Sequence, residues 1–474
     1  MTNQTGFVSF VGAGPGDSGL ITNKGLKSIK KADVILYDRL VNPRLLREAK
    51  KTCDFIYCGK LPNRHIMRQE KINETLIEQA KLGQYVVRLK GGDPSVFGRV
   101  GEEAEALVNE GIEYEIIPGV TSSIAAAAYA GIPVTHRDYS NSFTLRTGHA
   151  SVTKETVDNT YNGQYLGETI AYYMGVKSLK TNCHTLIEQG KTPQTKVAVI
   201  EWATLGKQRV VEGTLETISD IVETENIKNP AMTIIGDVVS LRQKIKWFDK
   251  KKFIGKRVLV AKSSGTSFDL EDYFTGHGAE AYSFPTVKME EAAFTNGELT
   301  KALQSDRIIF TAPESVDTFL SSMLNHSFDI RDLPRDIQFL SEKTRKKLME
   351  KGIIATKAEF SEKTTAVISP SGKKIDQSLF VDSHVFRSHA WERDHRFDEL
   401  NERILTEDNW QTVIFPNKAS IDSFIAEIER LRIELKALSF AYIGESVKKY
   451  AIQCGFTHVD QEVQNDLENN KWKR

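Results

Sequence analysis

Apolar residues in the N-terminal part of the chain fall into short continuous runs separated by segments of helical character. FVSFVG after Gly6, ADVILY over Ala32 to Tyr37, the apolar part of QYVVRLKGGDP and that of IEYEIIPG read as buried strands. Leu26 to Lys31, the stretch around Glu102 to Asn109 and the alanine-rich Ser122 to Ala130 read as helices. This alternation predicts an α/β sheet layered with helices. A polar stretch from Ala150 to Glu168 follows, then strand candidates TIAYYMG, KVAVIEWAT and AMTIIGDVV, and then a lysine-rich segment, KIKWFDKKKFIGKR, that reads as a linker. The second half echoes itself: Ile308 to Leu320 (IIFTAPESVDTFL) matches Val413 to Ile425 (VIFPNKASIDSFI) without a gap. Phe339 to Gly352 aligns with Tyr442 to Gly455 at nearly the same offset. Each copy is a strand, a capped turn and a helix, which predicts two similar flavodoxin-like lobes with a cleft between them.

With 474 residues the chain has room for about three domains. Its 63 Lys+Arg balance 63 Asp+Glu, so no bulk field points to nucleic acid or to an anionic membrane. Cys53, Cys58, Cys183 and Cys454 share no CxxC spacing, and the Cys53/Cys58 pair lacks the second pair a zinc site requires, so no metal is expected. The N-terminus has no basic flank with an apolar core, and no apolar run reaches the length of a membrane span. A cytoplasmic, soluble protein is expected.

Three glycine-rich turns carry the candidate chemistry. VGAGPGD (Val11 to Asp17) follows a strand but has Asp17 where the dinucleotide fingerprint requires glycine, so the Rossmann pattern fails. Gly12, Gly14 and Gly16 allow a ligand to lie against backbone, and Pro15 fixes the turn. RLKGGDPSVFGR (Arg88 to Arg99) is a second such turn, in which Asp93 is also a possible helix cap. PGVTSS (Pro118 to Ser123) is the third, with Thr121 and Ser122 as hydroxyl partners or, for Ser122, as the cap of the alanine helix. In an open α/β sheet such turns line one crevice.

These residues carry a family resemblance. GAGPGD, YDRLV (Tyr37 to Val41), Gly59-Lys60, VVRLKGGDP, VFGR, GEE, IPGVTS, AYAGIPVTHR, TGH (Thr147 to His149) and YMG (Tyr173 to Gly175), in order from about Phe7 to Phe248, closely resemble uroporphyrinogen-III C-methyltransferases. The resemblance implies a tetrapyrrole methylase fold of two α/β domains over 1–248, with a homodimer formed through this half. S-adenosylmethionine would lie between the domains against Pro15, Gly91, Gly92, Asp93, Val96, Thr121, Ser122, Met174 and Ala203, the last standing where glycine is usual. It implies C-methylation of uroporphyrinogen III at C2 and C7, giving precorrin-2 by way of precorrin-1. In that reaction Asp38 is the proton acceptor and Lys60 the proton donor. Without the family, Asp38 reads as a partner of Arg39 and Lys60 as a solvated side chain. The octacarboxylate substrate calls for local cations, for which Arg39, Arg64, Arg88, Arg99, Arg137 and Arg146 are candidates, with His136 and His149 beside them.

After a linker at 249–254, residues 255–474 resemble uroporphyrinogen-III synthase, a bilobal α/β family whose first lobe is discontinuous. KRVLVAK, FTAPESV, LSEKT, IFPNKAS and IGESV carry this resemblance, and Thr311 and Ser315 are the hydroxyls expected near the cleft. The first strand ends in AKSSG instead of the usual TRP, and His384, His389 and His395 stand among charges where a glycine-containing turn is expected, reading as a solvated face. The expected activity is a methylase fused to a synthase that cyclises hydroxymethylbilane, serving siroheme or cobalamin formation. The alternatives are a methylase for a later corrinoid and a non-catalytic C-terminal interaction module. No NAD site is expected, and a separate precorrin-2 dehydrogenase and ferrochelatase is the expected partner.

Overall fold

A computed structural model of the chain describes residues 5–59, 67–148, 167–265, 269–379, 381–407, 409–432, 438–470 and 472. The first sheet contains β1 (Phe7–Gly12), β2 (Val34–Tyr37), β3 (Asp54–Tyr57), β4 (Tyr85–Lys90) and β5 (Glu113–Ile117), all parallel, in the order β3-β2-β4-β1-β5. The apolar runs are continuous because both faces are covered. Val8, Phe10, Leu36 and Val86 enter one core, and their neighbours Val11, Ile35, Val87 and Leu89 enter another.

The second sheet is mixed. β6 (Ser142–Thr147), β7 (Glu168–Tyr173), β8 (Lys196–Glu201), β9 (Arg209–Thr214) and β10 (Ala231–Ile235) lie in the order β6-β7-β10-β8-β9, with only β6 and β7 parallel. The alanine helix, Ser122–Tyr129, packs Ala126 and Ala127 in one cluster with Tyr173, Ile200 and Ile234 of this sheet. Small side chains let the helix of one domain approach the strands of the other closely.

In the C-terminal half, β11 (Arg257–Ala261) and β12 (Glu280–Phe284) begin a first lobe, and β13 (Val287–Glu291) leaves it. β14 (Arg307–Phe310), β15 (Asp336–Phe339), β16 (Thr356–Lys357), β17 (Thr365–Ser369) and β18 (Ser383–Arg387) form the second lobe. β19 (His389–Arg393) returns antiparallel to β13, and β20 (Thr412–Phe415) and β21 (Ser439–Tyr442) complete the first lobe. The first lobe has the order β12-β11-β20-β21, as in flavodoxin-like sheets. The second differs from that expectation: β14 is central in β16-β15-β14-β17-β18. The internal echo occupies matching places, with β14 and β20 leading into helices Pro313–Asn325 and Lys418–Leu431, and β15 and β21 into Glu342–Glu350 and Glu445–Gln453.

The lysine-rich segment is anchored at both ends despite its polar composition. Phe248 packs on Tyr129 of the alanine helix, and Phe253, fully buried, packs on Phe274 of the first lobe. The two halves also share one apolar core, in which Tyr37, Leu45 and Leu46 belong with Leu259, Phe284, Phe397 and Phe415. Charge reinforces the joint. The fully buried Glu271 accepts from Arg47 Nη1 at 2.8 and 3.0 Å, and Arg44 Nε stands 3.3 Å from it.

Candidate active site

The three glycine turns meet at the carboxyl ends of the adjacent strands β4, β1 and β5. Gly14 and Gly92 exchange backbone hydrogen bonds at 3.2 and 2.9 Å. A Cβ on Gly12 would lie 2.5 Å from Gly119 N, and one on Gly119 would lie 2.4 Å from Gly92 O. Backbone packs directly on backbone here, and no other residue fits. Asp93 ties two of the turns, its Oδ2 accepting from Gly119 N at 2.9 Å and its Oδ1 from Ser95 N at 2.8 Å, so it caps a turn and not a helix. Pro15 is held from the second domain, because the Thr204 hydroxyl bonds to its carbonyl and accepts from Asp17 N at 2.8 Å.

Across the crevice the second domain supplies two kinked loops. Tyr173, at the end of β7, donates to Ser123 Oγ at 2.9 Å, accepts from Ser123 N at 3.2 Å and lies 2.5 Å from Thr121 Oγ1. Thr121 is thus the residue preceding the alanine helix, yet its hydroxyl goes to Tyr173 and not to the helix end. Ser122 is the first helical residue instead of the cap. Met174 follows in a left-handed conformation, and Ala203 sits between left-handed Trp202 and Thr204. Phe97 and Arg99 are left-handed as well, so five such non-glycine residues surround this crevice. Val96 and Ala203 pack on the core between the alanine helix and the second sheet, while Leu40, Phe97 and Met174 expose apolar surface. Gly91 is exposed beside Leu40, whose Cβ would lie 3.4 Å from a Cβ on that glycine.

Asp38 directly follows β2 and is paired with Arg88, not with Arg39. Arg88 Nη2 donates to Asp38 Oδ1 at 2.6 Å, and its Nε donates to Glu103 at 3.3 Å. Lys90 donates to the same Glu103 oxygen at 2.8 Å, so two buried cations face two carboxylates. Burial and the neighbouring Arg88 push the Lys90 ammonium below its usual range, while Asp38 and Glu103 hold the Arg88 guanidinium above its own against the cost of burial. The Asp38 side chain is 34 % exposed, and its Oδ2 has no partner among the described residues. Glu103 and Tyr173 were visible only as members of the GEE and YMG motifs; their organising roles come from packing.

The remaining candidates are dispersed. Arg88 is buried beneath Asp38, whereas Arg39 turns toward the C-terminal half, 3.7 Å from Glu407. Arg99 is exposed and bonded to Glu102, and Arg137 is exposed. His136 accepts from Asp138 N at 3.1 Å, and Arg146 reaches Tyr172 Oη at 3.4 Å. Lys60, Arg64 and His149 lie outside the described residues.

In the second lobe Thr311 and Ser315 are fully buried, with hydroxyls joined to Ser369 at 2.9 Å and Ser388 at 2.8 Å. The three histidines do not form one solvated face: His395 is exposed beside Asp398, whereas His389 is buried against Ser388. Among the described residues no group of three or more His, Cys, Asp or Glu is arranged to hold a metal, and no helix is long and apolar enough to cross a membrane.

Residues 8–219 match the family Tetrapyrrole (Corrin/Porphyrin) Methylases. The chain is 42% identical over 434 residues to a uroporphyrinogen-III C-methyltransferase of Bacillus subtilis, spanning 91% of this chain and 90% of the relative. It is 32% identical to the porphyrin biosynthesis protein HemD of Ruminiclostridium josui, spanning 95% of each. A Thermus thermophilus uroporphyrin-III C-methyl transferase complexed with S-adenyl homocysteine aligns to 50% of this chain and 100% of its own, with 36% identity and a TM-score of 0.43. The match at both scales, the methylase half and nearly the full chain, establishes that this protein belongs to the uroporphyrinogen-III C-methyltransferase family.

Proposed function

We propose that the chain methylates uroporphyrinogen III at C2 and then C7, giving precorrin-2 by way of precorrin-1, with S-adenosylmethionine as methyl donor. The observation that carries this reading is the glycine floor shared by three strand ends, with Asp38 held at its edge by Arg88. The crevice suits the donor: Gly91 leaves backbone open beside Leu40, and Phe97 and Met174 offer apolar surface to an adenosyl group. When bound, S-adenosylmethionine supplies a methyl group on a positively charged sulfur. The backbone edges orient it, so that positioning against an electron-rich pyrrole β-carbon provides much of the catalysis. Once that carbon is methylated a proton must leave the rearranging macrocycle, and Asp38 Oδ2 takes it while Oδ1 stays bonded to Arg88. Lys60 is assigned the complementary proton donation. Arg99, Arg137, Arg146 and His136 are assigned to substrate carboxylates, together with Arg64 and His149.

The C-terminal half is read as the source of uroporphyrinogen III, formed by cyclising hydroxymethylbilane. Two lobes joined by the paired strands β13 and β19, and similarity to HemD along nearly the full chain, support this. One observation favours a non-catalytic platform instead: the hydroxyls of Thr311 and Ser315 are used internally. We further assign a homodimer through the methylase half, and passage of precorrin-2 to a separate dehydrogenase and ferrochelatase.

Purified chain is incubated under reducing conditions with S-adenosylmethionine and either uroporphyrinogen III or hydroxymethylbilane. Doubly methylated product from both substrates supports the fused activity. Product from uroporphyrinogen III alone leaves the second half a platform, and product from neither overturns the proposal. Asp38→Asn should abolish methyl transfer while S-adenosylhomocysteine still binds.

A further inference from the structure

A small open cleft of about 100 Å³ lies where the methylase half meets the first C-terminal lobe. Its methylase wall includes Gly16, Arg39 and Trp202, each one residue along the chain from Pro15, Asp38 and Ala203 of the crevice described above. Its opposite wall includes Arg403 and Glu407, on the helix Asp398–Glu407, together with Trp410. Residues of both halves therefore line one cleft, beside the loops that carry Pro15, Asp38 and Ala203.

Of the three cations lining this cleft among the described residues, Lys207 is engaged over the Trp202 ring at 3.9 Å, whereas Arg403 and Arg39 are incompletely used. Arg403 is 8 % exposed, stacks its guanidinium 4.4 Å over the Tyr57 ring, and leaves Nη1 buried without a hydrogen-bond partner among the described residues. An unpaired buried guanidinium N–H is costly, and a ligand carboxylate would satisfy it. Arg39 has only the loose contact with Glu407, at 3.7 Å between two half-exposed side chains. The other acid on the wall, Glu280, accepts from Gly206 N at 3.1 Å. Two arginines from different halves thus face one partly apolar cleft, a combination that fits the edge of an apolar ring carrying carboxylates.

We propose that this cleft is a second tetrapyrrole site, which holds one pyrrole edge of a polycarboxylate macrocycle through its acetate and propionate groups. Arg403 binds one carboxylate and Arg39 the other after release from Glu407. The assignment of a tetrapyrrole rests on the uroporphyrinogen reading above. The site gives the molecule a holding place at the seam between the halves, next to the loops that bear Asp38 and Ala203.

The test titrates the full chain, saturated with S-adenosylhomocysteine, with uroporphyrin III, the oxidised and unreactive octacarboxylate, following tryptophan quenching. Wild type should show a binding phase that Arg403→Met weakens about tenfold, the expected loss for one charge-assisted contact. Glu407→Gln, a substitution at a half-exposed position, should tighten the same phase several-fold by freeing Arg39. Superimposable titrations of wild type and Glu407→Gln overturn the site, whether or not Arg403→Met folds. Methyl transfer to uroporphyrinogen III by wild type is measured in parallel. Transfer with no effect of either variant on binding refutes the site alone. Binding that responds to both variants without transfer upholds the site and refutes the methylation reading.

Discussion

Replacing Arg88 by methionine separates two roles for the same cation. Arg88 is 2 % exposed and bonds Asp38 at 2.6 Å and Glu103 at 3.3 Å. The substitution removes one of two positive charges from the buried array, yet Glu103 keeps Lys90 at 2.8 Å and stays paired. Deleting one partner of a buried pair costs about 3–5 kcal/mol. Because Asp38 is one-third exposed, solvent takes up part of its charge, and the stability loss falls to about 2 kcal/mol. The effect on catalysis is larger. A carboxylate free to shift by about 1 Å costs about a hundredfold in rate. The expected result is kcat down about a hundredfold with both KM values within about twofold. The assay is steady-state transfer of a labelled methyl group to uroporphyrinogen III, with urea unfolding in parallel. An unchanged kcat with a raised KM for the tetrapyrrole would place Arg88 on substrate carboxylates and refute the positioning argument.

Glu271→Gln leaves Arg47 buried without its carboxylate and should cost about 3–5 kcal/mol, read as a lower urea midpoint; replacing Glu271 and Arg47 together by leucine and methionine should recover most of it. Gly119→Ala places a Cβ 2.4 Å from Gly92 O and should abolish S-adenosylhomocysteine binding by calorimetry. Gly101→Ala meets nothing within 4 Å on a helix and should stabilise by about 0.5–1 kcal/mol, read as a raised urea midpoint. Burial pushes the Lys262 ammonium down to about 8 from its ordinary 10.5. Between those values the unfolded chain holds a proton that the folded chain lacks, so this group's destabilising effect, full below pH 8, is relieved as pH rises, by up to about 1.4 kcal/mol per pH unit. The stability gain of Lys262→Met over wild type should accordingly shrink between pH 8 and pH 10.5, and a gain independent of pH counts against the argument.

Strands buried on both faces were legible because an apolar run needs no alternation when each face has its own core: β1, β2 and β4 follow their runs closely. β6 (SFTLRT) and β9 (RVVEGT) went unread because their half-buried residues carry polar groups and lie at the two edges of the second sheet. Local sequence also pointed to the three glycine turns, since only glycine lets three backbones meet without a Cβ. Pairing was another matter. Nothing within YDRLV tells that Asp38 faces Arg88, 50 positions away, or that Arg39 turns to Glu407 across the seam. Nor does lysine-rich KIKWFDKKKFIGKR announce that two of its phenylalanines bind it to both halves. Sequence alone determined the types of the fully buried elements, the glycine-rich turns and the family, because those rest on local backbone demands and ordered motifs. Tertiary structure decided which charges neutralise one another, which hydroxyls are consumed internally and that the two halves share a core, because those depend on distances between residues far apart in the chain.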